Sequence, residues 1–240
     1  LNKLEKMSNF DYISCNIKGK DAQLLFEPYK IINIDSLKLG VIGASSPFDS
    51  EEVFIDDAYL SISNTLSEIR DECDYVILLF SASSADYKKI SGSDLDFDLV
   101  VRGNTNRHSH DGGSGKFPIY STGDRGKLLY QFDLKHATSL SPLIDVAYFE
   151  KAIRTDSKRL NQLSRDTLQD NTQKIEEYRN NIQKYNQIIN SVDNSLQFKK
   201  VTLDKLIQDD PYVLKIVDAG KLKAQTMGSP MLDPNRFQNR

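Results

Sequence analysis

Two apolar runs constrain the fold of this chain more than any other feature of its sequence. Residues 75–80 are apolar at every position, and residues 97–101 are apolar at every position except Asp98. A short helical pattern at Ser84–Ser91 separates the two runs, and another, at residues 58–70, precedes them. Apolar runs of this length are typical of strands that are buried on both faces. The sequence therefore predicts a layered α/β core.

Shorter stretches on either side of these runs predict further strands. Residues 12–17, 29–34 and 37–44 come first, and the last two read as partners of a hairpin. Residues 119–121 and 127–134 follow the second run without a helix between them. Helices alternate with strands first, and strands then follow strands. This order predicts an α/β (α+β) fold whose sheet mixes parallel and antiparallel pairing.

A long polar helix is predicted from about residue 149 to residue 208. Apolar side chains recur there at alternating steps of three and four residues: Ile175, Tyr178, Ile182, Tyr185, Ile189, Val192 and Leu196. This spacing is typical of a coiled-coil seam. The seam must be covered by a second helix, by the α/β part of the chain or by a partner chain, and the sequence leaves these possibilities open. The simplest is a hairpin of residues 149–170 against 173–196.

Charge and composition exclude several classes of function. The 240 residues contain 31 Lys and Arg against 34 Asp and Glu, for a net charge of −3. This balance gives no basic footprint for nucleic acid. The sequence contains no run of 18 apolar residues, the length needed to cross a membrane. The two cysteines, Cys15 and Cys73, fit one disulfide or two buried thiols equally well.

Polar side chains follow the two buried strands, where α/β sheets commonly bind ligands. The turns are residues 81–84 and 102–106, and Ser-, Asn- and Gly-rich turns of this kind are also ordinary connections. A second candidate is the pair His108 and His110, which could hold a metal together with Asp111. A flexible loop is the simpler interpretation of that pair, because four of the next five residues are Gly or Ser.

Seven segments, taken in order, carry a family resemblance. They are residues 10–17, 29–31, 37–43, 74–81, 95–103, 119–123 and 126–129. The series resembles calcineurin-like metallophosphoesterases of the 5'-nucleotidase type. The resemblance implies a four-layer β-sandwich flanked by helices. It also implies two divalent metal ions of the Mn, Zn or Fe class that activate water at strand ends.

The resemblance also implies which part of the domain is present. In that family, the first metal-binding motifs precede the segments found here. The chain begins at Leu1 rather than Met. We therefore expect the C-terminal half of the domain, followed by a helical extension. The expected boundaries are 1–148 for the phosphoesterase-like α/β region, 149–223 for the helical, heptad-bearing extension and 224–240 for a flexible tail.

The positions at which the family places metal-binding histidines differ in this chain. Ala82 stands where the family has His after Ser, and Asn104 and Asn106 stand in its Gly-His-x-His motif. An amide oxygen binds such metals far more weakly than an imidazole, and Ala82 offers no ligand. His108 and His110 could substitute only if the loop slipped, which would move the ligands away from the strand end.

We therefore expect a catalytically impaired phosphoesterase. Two alternatives remain open. One is an active metal-dependent phosphohydrolase with its ligands mainly in the missing half, and the other is a coiled-coil interaction scaffold. No Cys-x-x-Cys-His motif is present, so these residues bind no c-type haem. The family is usually exported, so the resemblance implies a periplasmic or cell-surface location.

Overall fold

The computed structural model describes residues 8–103, 116–121, 126–138, 141–165, 170–204 and 206–226, together with the backbone of residues 110 and 111. The chain divides into two compact units, Leu1–Thr202 and Leu203–Arg240. The first unit therefore includes the segment that follows residue 148, beyond the predicted boundary of the α/β region.

The described strands and helices follow in chain order. The strands are β1 (Ile17–Lys18), β2 (Tyr29–Ile34), β3 (Leu37–Ser45), β4 (Phe54–Ile55), β5 (Tyr75–Ser81), β6 (Leu99–Gly103), β7 (His110–Asp111), β8 (Ile119–Ser121), β9 (Leu128–Lys135), β10 (Leu143–Asp145) and β11 (Asn194–Thr202). The helices are α1 (Ala58–Ile69), α2 (Ser84–Ser91), α3 (Val146–Leu163), α4 (Thr172–Ser191) and α5 (Pro211–Thr226).

The main sheet has six strands in the order β2-β3-β5-β6-β8-β7. Its four central strands, β3, β5, β6 and β8, run parallel. The outer strands β2 and β7 pair antiparallel with their neighbours. The predicted mixture of parallel and antiparallel pairing is confirmed. β1 and β4 form a separate two-stranded sheet.

Helix α1 covers one face of the main sheet because its apolar residues recur with helical spacing. Ile62, Leu66 and Ile69 are buried in one cluster with Val76 and Leu78 of β5. The helix begins where the carboxylate of Asp57 accepts a hydrogen bond of 2.8 Å from the backbone N–H of Leu60. Such caps satisfy backbone donors that have no partner inside the helix.

A three-stranded sheet, in the order β10-β11-β9, is joined to the main sheet through an aromatic cluster. The ring of Tyr120, on β8, lies 4.9 Å from that of Phe132 on β9 and 4.7 Å from that of Phe198 on β11. The Tyr120 hydroxyl donates a 2.8 Å hydrogen bond to Asp145. Aromatic packing and one satisfied hydroxyl therefore connect the two sheets.

The prediction that the helical segment extends to about residue 208 is wrong beyond residue 191. Residues 194–202 form β11, which pairs antiparallel with β9 along eight residues and parallel with β10. Leu196, assigned to the heptad seam, is instead 1% exposed in the core between the sheets. Val192 has extended backbone at the end of α4. The seam therefore ends at Ile189.

Helices α3 and α4 pack against each other, as the hairpin interpretation expected. The ring of Phe149 lies 5.7 Å from that of Tyr185, and the Arg159 guanidinium lies 5.9 Å from the ring of Tyr178. The seam residues of α4 are half-buried, and none of its residues is fully buried.

The structure also tests the predictions about the two cysteines, the last helix and membrane spans. Cys15 and Cys73 are buried free thiols, and burial raises the pKa of the Cys15 thiol to about 11. The sequence predicts a short helix from Tyr212 to about Ala219, closed by Gly220, but helix α5 extends from Pro211 to Thr226. Within the described part of the chain, no helix combines the length and apolar character needed to cross a bilayer.

Candidate functional site

Three parallel strands of the main sheet end at the same edge. Ser45 at the end of β3 lies opposite Ser81 at the end of β5, and Ser81 lies opposite Gly103 at the end of β6. The turns that the sequence singled out after β5 and β6 therefore begin side by side. Ala82 follows β5 directly and is fully buried.

A groove of about 440 Å³ runs along this edge. The chain between residues 13 and 17 forms one wall, and the backbone N–H of Cys15 donates a 2.8 Å hydrogen bond to the carbonyl of Gly43. A Cβ atom at Gly43 would lie 2.3 Å from the carbonyl oxygen of Ile13. Only glycine allows the two backbones to approach this closely.

The side chain of Asn16 fixes that wall to the end of β3. Its Nδ2 donates to the carbonyl of Ser45 at 2.7 Å, and its Oδ1 accepts from the N–H of Ser45 at 3.0 Å. Nδ2 also donates to the carbonyl of Asp56 at 3.0 Å. Asn16 is fully buried, and these bonds satisfy most of its hydrogen-bonding capacity. It positions the groove and is not free to bind a ligand.

A hydrogen-bonded network of short polar side chains closes the edge next to Ala82. The Ser46 and Ser83 hydroxyls donate to the same Asp86 oxygen, at 2.5 Å and 2.8 Å. The N–H of Ser83 donates to the Ser46 hydroxyl at 2.8 Å. The N–H of Ser46 donates to the carbonyl of Ser81, also at 2.8 Å. The carboxylate and both hydroxyls therefore already have partners.

A fixed positive charge also lies beside Ala82. Nη2 of Arg102 donates a 3.3 Å hydrogen bond to the carbonyl of Ala82, and the guanidinium stacks 4.1 Å from the ring of Tyr87. Nε of Arg102 is buried without a hydrogen-bond partner among the described residues. A partly buried guanidinium of this kind raises the cost of placing a metal cation nearby.

The structure describes only part of the other candidate ligands that the sequence predicts. Asn104, Asn106 and His108 lie outside the described residues. His110 begins β7, whose backbone pairs with β8, and its side chain is not described. In the part of the chain that the structure does describe, no three His, Cys, Asp or Glu side chains lie close enough to hold a metal ion. The metal site considered at Asn104, Asn106, His108 and His110 therefore stays a prediction.

Sequence reasoning missed Ser46 and Asp86, and it included Arg102 only as the first residue of the turn 102–106. A signal for Asp86 was present, because Ser83 stands three residues before it, as in a capping box at a helix N-terminus. Arg102 stands directly before Gly103 in the motif region, but nothing in the sequence indicates that its guanidinium would turn back to Ala82.

Comparison with known proteins gives structural neighbours and no sequence relatives. No protein-family model matches the chain, and no curated protein does. A Staphylococcus aureus protein assigned as a 5'-nucleotidase, solved with alpha-ketoglutarate, matches 57% of this chain at 15% identity with a TM-score of 0.49. The sulfate thiohydrolase SoxB of Thermus thermophilus, with glycerol, matches 56% at 22% identity with a TM-score of 0.49.

A further match is a 5'-nucleotidase precursor from Thermus thermophilus, which covers 56% of this chain at 16% identity with a TM-score of 0.44. These neighbours are of the calcineurin-like metallophosphoesterase type, the type that the sequence resembles. The matched part of the chain spans only 31%, 27% and 32% of the three structures, in the order given.

Proposed function

We propose that the chain is the C-terminal part of a 5'-nucleotidase-like metallophosphoesterase domain that has lost metal-dependent hydrolysis. The observation that carries the proposal is the surroundings of Ala82. This residue stands where the family places a metal-binding histidine. It is fully buried, its carbonyl accepts from the guanidinium of Arg102, and the adjacent Ser83 belongs to the hydrogen-bonded network of Ser46 and Asp86.

The positive charge of Arg102 is the first argument for the proposal. In an active centre of this type, two divalent cations would gather at the ends of β5 and β6. Here Arg102 donates to the backbone of Ala82 and stacks on Tyr87, so its charge is held at that position. Like charges repel strongly where water is excluded. Arg102 therefore opposes the binding of a metal at this strand end.

The hydrogen-bonded network of Ser46, Ser83 and Asp86 is the second argument for the proposal. A metal ligand needs a free lone pair, and carboxylates and imidazoles are the usual donors. Beside Ala82, the carboxylate of Asp86 accepts from two hydroxyls and lies at the N-terminus of α2. Both hydroxyls donate to Oδ2 of Asp86, so a metal bound through that oxygen would compete with them, and no imidazole is within the described neighbourhood.

Turnover of a phosphomonoester tests this proposal. The longest natural protein that contains these residues is assayed with AMP and with p-nitrophenyl phosphate, with Mn²⁺ and then with EDTA. We expect no Mn²⁺-dependent turnover above the protein-free reaction. Turnover that needs Mn²⁺ and disappears in a His108→Ala, His110→Ala variant would overturn the proposal. It would favour the active alternative with substitute ligands. The matched control is His136→Ala, because His136 bonds Tyr75 on another part of the sheet.

A scaffold role for the helical segment is a second candidate. The observation that favours it is the seam of α4, whose apolar side chains are half-buried and keep part of their surface accessible. Against it, Tyr178 and Tyr185 of that seam already contact α3. We therefore favour a hairpin that stabilises its own chain.

A further inference from the structure

The face of the main sheet opposite helix α1 is covered only in part by the described residues of the first unit. Strand β5 is apolar at residues 75–80, a pattern typical of strands that are buried on both faces. Its residues Val76 and Leu78 are fully buried in the cluster that contains α1. On the opposite face, Ile77 is half-buried and Leu79 is 41% exposed. The pattern therefore calls for more cover on that face.

A cavity of about 390 Å³ lies between this face and the three-stranded sheet. Leu39 and Val41 of β3 and Val101 of β6 line one side of it, and Phe132 and Leu134 of β9 line the other. All five residues belong to the first unit. The cavity extends the aromatic interface between the two sheets toward β3 and β5.

Strand β9 borders the cavity with an edge that no described strand pairs with. Its other edge pairs with β11 over eight consecutive residues, without a bulge. Tyr130, Phe132 and Leu134 are half-buried toward the main sheet, and the residues between them are exposed. Exposed edges are commonly protected by Pro, by a bulge, by an inward-pointing charge or by a very short strand. Strand β9 has none of these features, so it has the character of an internal strand.

A further strand beside β9 would satisfy the free edge and fill the cavity together. Such a strand would lie about 4.8 Å from β9 and about 10 Å from the main sheet, the ordinary spacings of a two-layer sandwich. Every second side chain would then point toward Val41 and Leu79. A small apolar ligand could fill the cavity, but it would leave the backbone groups of β9 unpaired. The occupant that fits is therefore an extended polypeptide segment with apolar residues at alternate positions.

We propose that this segment belongs to the same natural protein, outside residues 1–240, and that it pairs with β9 to extend the second layer of strands over the main sheet. The inference rests on the proposed function in one respect, that the chain is part of a larger domain. An apolar surface that continues a domain core is typical of permanent contacts, which favours the same protein over a transient partner. Mn²⁺-dependent turnover would overturn the proposed loss of hydrolysis and leave this pairing unaffected.

Hydrogen exchange of the longest natural protein that contains these residues tests the pairing, with mass spectrometry that resolves single amides. Successive N–H groups of a strand point to opposite edges, so an edge strand protects only every second amide. We expect consecutive amides of residues 129–135 to exchange slowly, as those of the internal strand β5 do. The 240-residue chain alone should protect alternate amides of β9. Alternating protection in the longer protein would overturn the proposal.

Thiol labelling tests the cover over the sheet face. The longer protein is prepared as Leu79→Cys and as Leu60→Cys, and each variant reacts with fluorescein maleimide. Leu60 is the matched control, because it is 60% exposed on α1, and the native Cys15 and Cys73 are buried and should label slowly. We expect Leu79→Cys to label about tenfold or more slowly than Leu60→Cys. Circular dichroism checks that both variants fold.

Three labelling results would overturn the proposal. Equal rates for the two variants would show that the face is open. Slow labelling of Leu79→Cys in the 240-residue chain alone would show that this chain covers its own sheet. Protection that disappears on dilution of the longer protein would identify a second copy as the cover.

Discussion

The hydroxyl of Ser46 donates a 2.5 Å hydrogen bond to the carboxylate of Asp86 across the edge of the main sheet. Forty residues separate the two in sequence. Their contact connects the turn after β3 to the first turn of α2, beside the position at which the family places a metal ligand. Hydrogen bonds between protein groups therefore connect the two elements at this edge.

Removing the Ser46 hydroxyl should destabilise the protein. Ser46→Ala takes one donor from Asp86 and leaves the partly buried N–H of Ser83 without its acceptor. Leaving such groups unpaired costs about 1–3 kcal/mol in the free energy of unfolding, which urea denaturation measures. Ser67→Ala is the control, since that hydroxyl is exposed and bonds only its own helix. Equal stability of the two variants would show that the network contributes nothing.

A methyl group at Gly43 should be tolerated poorly. The new Cβ would lie 2.3 Å from the carbonyl oxygen of Ile13, and this contact can be relieved only by moving backbone. We expect Gly43→Ala to lower the free energy of unfolding by about 1–3 kcal/mol. In Gly103→Ala the new Cβ would meet its nearest atoms at 3.7 Å, so the variant should be close to wild type. Thermal melts that rank the two variants in the opposite order would contradict the account of the groove wall.

The Asp57 cap of α1 should make stability depend on pH. The hydrogen bond from the N–H of Leu60 holds the pKa of the Asp57 carboxyl below its ordinary value. The charged cap therefore stabilises the fold above the ordinary pKa, and this contribution disappears as the pH falls through the lowered pKa. Asp57→Ala should cost about 1 kcal/mol at neutral pH and progressively less in acid.

Asp57→Asn separates capping from charge. Asn is also a good cap but does not titrate, so this variant should stay close to wild type at neutral pH and show a weaker loss of stability in acid. Urea denaturation at several pH values measures both effects. An Asp57→Ala deficit that stays constant from neutral pH to strong acid would contradict the assignment.

Part of the fold could be predicted from the sequence because it depends on local patterns. The strands β2, β3, β5 and β8 coincide closely with runs that alternate or are continuously apolar. Strand β11 could not be predicted, because Leu196 continues the spacing of the preceding helix. Its pairing partner β9 lies far earlier in the chain. A local sequence pattern does not indicate which distant strand will pair with a given segment. Leu196 and Phe198 do alternate, and that was the one available signal.

The candidate site, like the fold, could be predicted only in part from the sequence. The resemblance predicts that Ala82 stands at a ligand position, because that prediction needs only the identity of one residue within a motif. It does not show what surrounds the replaced position. The approach of Arg102 to the carbonyl of Ala82 depends on the stacking of its guanidinium on Tyr87, a contact between two separate elements.

The α4 seam should respond to substitution as an internal surface. Ile182 is half-buried in a helix that packs on α3, so Ile182→Asp should lower the free energy of unfolding by about 2 kcal/mol. Gln183→Asp adds the same charge at an exposed neighbouring position and should have little effect. Light scattering should give the same mass for Ile182→Asp as for wild type. A folded Ile182→Asp variant that no longer associates would instead show that the seam binds a partner chain.

Manganese content tests the central claim most directly. The longest natural protein that contains this chain is loaded with Mn²⁺, passed through gel filtration and measured by inductively coupled plasma mass spectrometry. The account predicts that Asn104→Ala, Asn106→Ala has the same manganese content as wild type, because these strand ends hold no metal. Two equivalents of manganese in wild type, with at least one lost in that variant, would contradict it.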